Sequence, residues 1–157
     1  MLNAQLSVHT YTIRTMCGIF GYYTWNVPRS TADVLEVLFT GLKRLEYRGY
    51  DSAGVAFDCP TALACGKGTN ALATTCEVIK ASGKIDVLSS VTYSKLHDVP
   101  LSKVLPSACA ISHTRWATHG LPTSTNAHPH TSDAAHQFVV VHNGIITNYA
   151  ALKQFLV

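Results

Sequence analysis

The feature of the sequence that most constrains its fold is an apolar repeat of helical period between positions 31 and 46. Large apolar side chains recur every three or four residues, at Leu35, Leu38, Phe39, Leu42 and Leu45. This spacing places them on one face of a helix. Ser30 followed by Asp33, with Pro28 just outside, matches a helix-capping pair. We therefore predict an amphipathic helix over 31–46, which must bury its apolar face against another layer.

Segments rich in β-formers on either side of this helix predict that layer. Residues 17–25 are nearly all apolar, which is typical of a strand buried on both faces. The other predicted elements are a hairpin of 53–57 and 61–65 turned at 58–60, a helix near 72–81, a polar linker up to 107, strands at 108–112 and 137–142, and a helix from 148 to 157. Strands mixed with helices that pack on their faces indicate an α+β or layered α/β fold.

Composition excludes several classes of protein. Hydrophobic residues make up 47% of the chain and charged residues 13%, about half of the ~25% usual in a globular domain, so disorder is excluded. The formal net charge is +3 and no basic run is longer than Lys43-Arg44, which argues against nucleic-acid binding. No apolar run approaches the ~20 residues that span a bilayer, so no membrane association is predicted.

The cysteines indicate free thiols. They number five and include no CxxC pair: Cys17, Cys59, Cys65, Cys76 and Cys109. A disulfide framework or a zinc site would need tighter, paired spacing. We therefore predict a reducing compartment, the cytoplasm.

Cys17 is the first residue with the potential for chemistry. A cysteine on a buried strand is most often a small core residue, but this one follows a methionine. If Met16 is the initiator and is removed, Cys17 carries a thiol and a free α-amino group, whose reference pKa near ~7.7–8.0 lets it accept the thiol proton. Residues 1–16 are then an N-terminal extension or a removed segment. A weak transit-peptide interpretation remains for the first fifteen residues.

Two further segments allow a functional or an ordinary structural interpretation. Arg115 beside Trp116, within 113–120, is either a salt-bridge or stacking pair or a clamp for an α-carboxylate, which a guanidinium binds through two parallel hydrogen bonds. Asn143-Gly144, within 141–145, is either a type I′ hairpin turn or a pair of donors for a developing oxyanion.

The segment 45–54, Leu-Glu-Tyr-Arg-Gly-Tyr-Asp-Ser-Ala-Gly, runs from the end of the predicted helix into a strand. Its ordinary interpretation is a solvated turn in which Gly49 ends the helix as a C-terminal cap. Its functional interpretation depends on the other segments, because alone it specifies no chemistry.

Together and in this order, the segments resemble the glutamine amidotransferases that begin at a nucleophilic cysteine. Within that class the chain is similar to the glutamine–fructose-6-phosphate aminotransferases, in a eukaryotic-like form. The matching stretches are 16–21, 45–54, 113–120, 126–130 and 139–146. Relatives such as amidophosphoribosyltransferase share the Cys-Gly and Asn-Gly elements, whereas the combination of 46–51 with 115–120 is specific to the sugar aminotransferases. The resemblance is loose over 67–107.

The resemblance implies catalytic roles for four residues. Cys17 resembles the nucleophile that attacks the side-chain amide of glutamine and releases ammonia for glucosamine 6-phosphate synthesis. Asn143 and Gly144 resemble the oxyanion hole. Arg48 matches an arginine that orders the surroundings of the nucleophile.

It also implies a substrate-binding pocket. Arg115 resembles the residue that binds the glutamine carboxylate, with Thr118 and His119 in the same pocket. Trp116 is similar to the tryptophan that gates the ammonia passage, and His128 lies in a loop that helps to close the site. No cofactor and no metal are implied.

The fold implied is an N-terminal nucleophile hydrolase, a four-layer αββα sandwich, truncated at its C-terminal end. On this basis 17–157 is a partial type-2 glutamine amidotransferase domain. The partners implied are L-glutamine, sugar-isomerase domains that use fructose 6-phosphate and are absent from this sequence, and further copies in a homo-oligomer. An aspartate that in the family holds the substrate amino group lies beyond residue 157.

Two alternatives are considered. In the first, the chain is a catalytically dead fragment of the same family, because its nucleophile is internal and its pocket incomplete. In the second, it is a metal-binding module, since histidines crowd into 113–142 at His113, His119, His128, His130, His136 and His142. None of them has HExxH spacing and no cysteine pair accompanies them, so the metal-binding alternative is the weaker one.

Overall fold

The computed structural model of the protein describes residues 16–60, 74–118 and 120–156. Its framework is a four-stranded sheet in which all neighbouring strands are antiparallel. In spatial order the strands are β1 (Gly18–Thr24), β6 (Ala108–Arg115), β3 (Ser52–Pro60) and β4 (Thr74–Ser82). Two short ribbons pair β2 (Arg29–Ser30) with β5 (Val104–Leu105), and β7 (His130–Thr131) with β8 (Val139–Val140). The mixed α/β class predicted from the sequence is confirmed.

The predicted first helix is α1, Thr31–Leu45. Its start is fixed by reciprocal hydrogen bonds, each 3.1 Å long: the Asp33 N–H donates to Ser30 Oγ and the Ser30 N–H donates to Asp33 Oδ2. The helix packs its apolar face on the sheet through Val34, Leu35, Leu38 and Leu42, which are almost fully buried. Each buried leucine contributes about 1.5–3 kcal/mol. The predicted helix and its capping pair are confirmed.

The end of α1 is coupled to the start of a second helix. After α1 comes a 3-10 turn, Glu46–Arg48, and the Glu46 carboxylate accepts the Ile85 N–H at 2.9 Å. Ile85 is the first residue of α2, Ile85–Lys95, so Glu46 satisfies one of its unpaired amide groups. The prediction of a polar linker is therefore wrong at 85–95. In the part of the chain that the structure describes, no helix is both long and apolar enough to cross a membrane.

Two local predictions next to β3 are wrong for one reason. The predicted turn at 58–60 is part of β3, and the predicted helix near 72–81 is the strand β4 over 74–82. The two strands pair along their whole length, from Ser52 opposite Ser82 to Pro60 opposite Thr74. Pairing between distant segments thus overrides the local turn and helix signals. The predicted strand 61–65 lies outside the described residues.

Three further expectations, about burial, strand length and helix packing, are also corrected. The first strand is not buried on both faces, because the side chain of Tyr23 is 65% exposed and that of Ile19 is 46% exposed. Of the predicted strand 137–142, only the two residues of β8 form a strand, and their partner is β7. The last helix is α3, Tyr149–Leu156, but it does not pack on the sheet, since it contains no buried residue.

A long connection between β6 and β7 rests on the middle of the sheet. At Gly54, in β3, a β-carbon would overlap the carbonyl oxygen of His128. Ala127, beside His128, is fully buried. Glycine at position 54 therefore lets the main chain of this connection lie directly on the main chain of β3.

Candidate active site

Cys17 lies immediately before β1 and is half-buried. Its thiol sits against the end of β6, where the Trp116 N–H donates to Sγ at 3.3 Å and the Trp116 carbonyl oxygen lies 3.8 Å from Sγ. This contact follows from the sheet, because β1 runs antiparallel to β6 with Gly18 opposite Thr114. The pairing places 16–21 next to 113–120, two of the segments for which the sequence predicts a function.

Asn143 contacts Cys17 although the two residues are 126 positions apart in the sequence. Its Nδ2 donates to the carbonyl oxygen of Cys17 at 2.8 Å. Neither Asn143 nor Gly144 has a positive φ, whereas a type I′ turn requires it at both central residues, so the hairpin interpretation of Asn-Gly is wrong. A carboxamide nitrogen carries two N–H groups, and the bond to Cys17 uses one of them.

Arg115 and the chain after it form one wall beside the thiol. The guanidinium is buried and donates to the carbonyl oxygens of Leu121 at 2.9 Å and Gly120 at 3.3 Å. Asn126 Nδ2 donates to the same Leu121 oxygen at 3.0 Å. Arg115 thus holds the loop that follows Trp116. Thr118 is exposed on this loop, and His119 lies outside the described residues.

The segment 45–54 braces the same wall, chiefly through Asp51. The Asp51 carboxylate accepts the Ala117 N–H at 2.8 Å, and the Asp51 N–H donates to the Arg115 carbonyl oxygen at 3.1 Å. The Trp116 ring packs edge-on against Tyr50, with centroids 5.3 Å apart. The sequence marked this segment without indicating a role for Asp51, since its partner lies 66 residues away.

Gly49 ends the helical segment as predicted, but it does so in an extended conformation and has a second function. Its φ of −175° is extended backbone, not the left-handed conformation of a capping glycine. A β-carbon there would lie 2.6 Å from the carbonyl carbon of Arg115. Gly49 is the C-cap of the 3-10 turn, since its N–H donates to the Glu46 carbonyl oxygen at 3.1 Å, and it is also needed for close approach to the end of β6.

Arg48 is less directly connected to the thiol. It ends the 3-10 turn, and its guanidinium carbon lies 5.9 Å from the centroid of the Tyr47 ring. Among the described residues no hydrogen bond joins Arg48 to Cys17.

Three histidine rings form a cluster at the sheet, in one tilted and one edge-on contact. The ring centroids of His113 and His128 are 4.6 Å apart, and those of His128 and His130 are 4.3 Å apart. The His142 N–H donates to His128 Nδ1 at 3.3 Å, which connects this cluster to the residue before Asn143. In the described ranges no group of three or more His, Cys, Asp or Glu side chains has the arrangement of a metal site.

Burial keeps this cluster neutral. Desolvation, with smaller contributions from His128 and Arg115, lowers the pKa of His113 to about 3. Desolvation and the neighbouring His130 lower the pKa of His128 to about 4. The His113 side chain is 1% exposed, and neither ring nitrogen has a hydrogen-bond partner in the described structure. A neutral His128 can accept the His142 N–H, whereas a protonated ring could not.

We expect the protein to lose stability as the pH falls below about 6.5. The unfolded chain binds protons on these histidines from there downward, while native His113 stays neutral to a pH near its pKa of about 3. Native protein thus binds fewer protons, and protonation favours unfolding. His113 alone should cost about 2 kcal/mol at pH 5, at ~1.4 kcal/mol per pH unit. Urea unfolding at pH 7, 6 and 5 measures the loss.

His113→Phe, which keeps a ring but cannot titrate, should flatten this pH dependence. His97→Gln is the control, because His97 is an exposed residue paired with Asp98. An unchanged pH dependence in His113→Phe would show that the buried ring is not the source.

Comparison with known proteins places this site in a family. No protein-family model matches the chain. It is 48% identical over 141 residues to glutamine–fructose-6-phosphate aminotransferase [isomerizing] 1 of Rattus norvegicus and 45% identical over 141 residues to the human enzyme 2. It is 46% identical over 142 residues to the Saccharomyces cerevisiae enzyme. Each match covers 90% of this chain but 18–20% of the relative.

These relatives are aminotransferases by name, and the chain matches their N-terminal part. The chain spans about a fifth of the length of the relatives. The family is that of the glutamine–fructose-6-phosphate aminotransferases.

Proposed function

We propose that this chain carries the glutaminase half-reaction of a glutamine–fructose-6-phosphate aminotransferase. The observation that carries the proposal is the hydrogen bond from Asn143 to Cys17, two residues that are 126 positions apart in the sequence. A thiol, an amide N–H donor and a side-chain amide converge there, and acyl transfer needs a nucleophile beside oxyanion donors. The curated relatives support the choice, since each carries glutamine in its name.

In the proposed mechanism, Cys17 Sγ attacks the side-chain amide carbon of glutamine. The thiol proton passes to the α-amino group of Cys17 in a chain that begins at this residue, and from there to the departing nitrogen, which leaves as ammonia. The second N–H of Asn143 Nδ2 and the Gly144 N–H donate to the oxyanion. Water then cleaves the glutamyl thioester, releases glutamate and restores the thiol.

The wall after β6 is the proposed binding site for the rest of glutamine. Arg115 is proposed to bind the α-carboxylate beside Thr118 and His119, since a guanidinium has five N–H donors and pairs with carboxylates bidentately. Trp116 is proposed to gate the passage of ammonia. His128 is proposed to close the site, which its bond from the His142 N–H supports.

Arg48 is proposed to order the nucleophile indirectly, because it directly precedes the close contact of Gly49 with the end of β6.

Several wider features are part of the same proposal. Residues 17–157 are proposed to be part of a type-2 glutamine amidotransferase domain with the four-layer αββα architecture, and residues 1–16 to be an N-terminal extension or a removed segment. The ammonia would serve glucosamine 6-phosphate synthesis from fructose 6-phosphate on sugar-isomerase domains, in a homo-oligomeric, cytoplasmic enzyme. The relatives' names support the use of fructose 6-phosphate, and the antiparallel sheet with α1 packed on it supports the architecture.

Replacing Asn143 by alanine tests the oxyanion assignment. We expect kcat for glutamine hydrolysis to fall about 10²- to 10³-fold, the usual cost of one lost oxyanion donor. Release of glutamate is measured in a form whose first residue is Cys17. Asn148→Ala is the matched control, since Asn148 is also exposed and lies five residues along the chain. Asn143→Ala activity within about threefold of wild type would contradict the assignment, because that loss is far below the cost of a donor.

A further inference from the structure

The peptide group between Cys17 and Gly18 is held at both of its polar ends. Its carbonyl oxygen accepts the Asn143 Nδ2–H at 2.8 Å, and its N–H donates to Thr114 Oγ at 3.0 Å in a buried hydrogen bond. A peptide unit is planar, so fixing both polar atoms fixes the whole plane. The nucleophile is thus joined to β1 through a peptide group of fixed orientation.

Thr114 is well suited to hold one of these ends. It lies in β6 opposite Gly18 on one side and opposite Ala53 of β3 on the other, so the sheet fixes its main chain from both sides. Its side chain is 0% exposed. A β-branched side chain has few rotamers, and a buried hydroxyl has no water competing for its partner. The acceptor is therefore positioned before any substrate arrives.

The same strand end also determines the position of the thiol. Trp116, two residues after Thr114, donates its N–H to Cys17 Sγ at 3.3 Å. The α-amino group, the thiol-bearing side chain and the fixed peptide all branch from the Cα of Cys17. The orientation of the peptide consequently sets where the thiol and the amino group lie relative to Asn143.

We propose that Thr114 is a positioning residue for the nucleophile. Through the Gly18 N–H, its hydroxyl fixes the Cys17–Gly18 peptide so that the thiol stays beside the Trp116 N–H and in line with a substrate held next to Asn143. This role rests on the function proposed above for Cys17. Thr114 itself touches no substrate and takes no proton.

The isosteric variant Thr114→Val tests this role, because it keeps the side-chain shape and removes the acceptor. In a form that begins at Cys17, we expect kcat for glutamine hydrolysis to fall about 10- to 100-fold while KM changes less than about threefold, since misplacement of a reacting group slows chemistry. Thr114→Ser keeps the hydroxyl and should stay within about threefold of wild-type kcat, because the same bond can form.

The matched control is the same pair of changes at Thr92. This residue is also fully buried, and its hydroxyl donates to the Leu88 carbonyl oxygen at 2.8 Å inside α2. Thr92→Val should lower the unfolding temperature without lowering kcat. A loss of kcat in Thr114→Val alone then reflects position rather than general stability.

Unchanged kcat in Thr114→Val, or an equal loss in Thr114→Ser, would overturn the proposal. Should Thr114→Val fail to fold, the pair Thr114→Ala and Thr114→Ser carries the same comparison. The rate of Cys17 alkylation by iodoacetamide, located by peptide mapping, is measured in parallel and should fall about 5- to 10-fold in Thr114→Val, because Cys17 Sγ is then no longer held in place beside the Trp116 N–H. If wild-type protein shows alkylation but no glutaminase activity, the proposed function fails, and the alkylation rates of the Val and Ser variants still decide the role of Thr114.

Discussion

Cys17→Ala is expected to abolish glutamine hydrolysis, with a loss of roughly 10⁴-fold or more, because among the described residues of the site only Cys17 carries the thiol that forms the thioester. Binding of glutamine should persist, since alanine removes one sulfur atom and leaves the wall around Arg115 in place. Release of glutamate measures the first effect, and calorimetric titration with glutamine measures the second.

Cys109→Ala is the matched control for this substitution. Cys17, Cys59, Cys76 and Cys109 are all free thiols, and Cys65 lies outside the described residues. Desolvation raises the pKa of Cys109 and Cys76, and that of Cys59 to about 11, so these thiols are poorly ionised at neutral pH. Cys109→Ala should retain full activity. Substantial hydrolysis by Cys17→Ala would remove Cys17 from the mechanism.

The second large effect concerns the nitrogen of Cys17. We expect the chain that keeps residues 1–16 to hydrolyse glutamine about 10²- to 10⁴-fold more slowly than a form that begins at Cys17, since that is the usual contribution of general base catalysis. In the longer chain this nitrogen is an amide, which has no useful basicity. Glutamate release is compared between the two forms, with mass spectrometry confirming each N-terminus. All forms share one C-terminus, so only the N-terminus differs.

A form in which only Met16 precedes Cys17 separates the loss of the free amine from the steric effect of a long N-terminal segment. It lacks the free amine of Cys17 but carries a single extra residue, and it should be nearly as slow as the chain that begins at Met1. Equal rates in all three forms would show that the amine is not the base. If the long chain is slow and the form that begins at Cys17 is fast, the catalytically dead fragment considered above would be the form from which residues 1–16 have not been removed.

Local sequence signals predicted α1 because everything that forms it is local. The apolar period and the Ser30–Asp33 pair lie within one segment and need no partner to be recognised. β4 was mistaken for a helix because its state depends on pairing with β3, and residues 74–82 carry no strong period of their own. The exposed α3 was predicted as a helix correctly, but its expected packing required contacts that its own sequence does not specify.

In the candidate site, too, features that depend on local sequence were predicted, and features that depend on distant contacts were not. Cys17, Asn143 and Arg115 were marked by residue type and by the order of their segments, and the structure brings the first two within hydrogen-bond distance. Thr114 and Asp51 were not singled out, because each acts through a backbone N–H from a distant segment, at Gly18 and Ala117. A threonine in a strand and an aspartate in a turn are common in any sequence. Only the sheet register identifies their partners.

The contact between Gly54 and His128 makes position 54 sensitive to any substitution. The connection between β6 and β7 approaches β3 main chain to main chain at Gly54, and the residues on either side of Gly54 are themselves buried. At position 54 even the smallest side chain would collide with a carbonyl oxygen. Natural variation should therefore be limited at Gly54 by this main-chain contact and at its neighbours Ala53 and Val55 by their burial in the core, so a side chain at position 54 would mark a copy of the gene in which the connection has to shift.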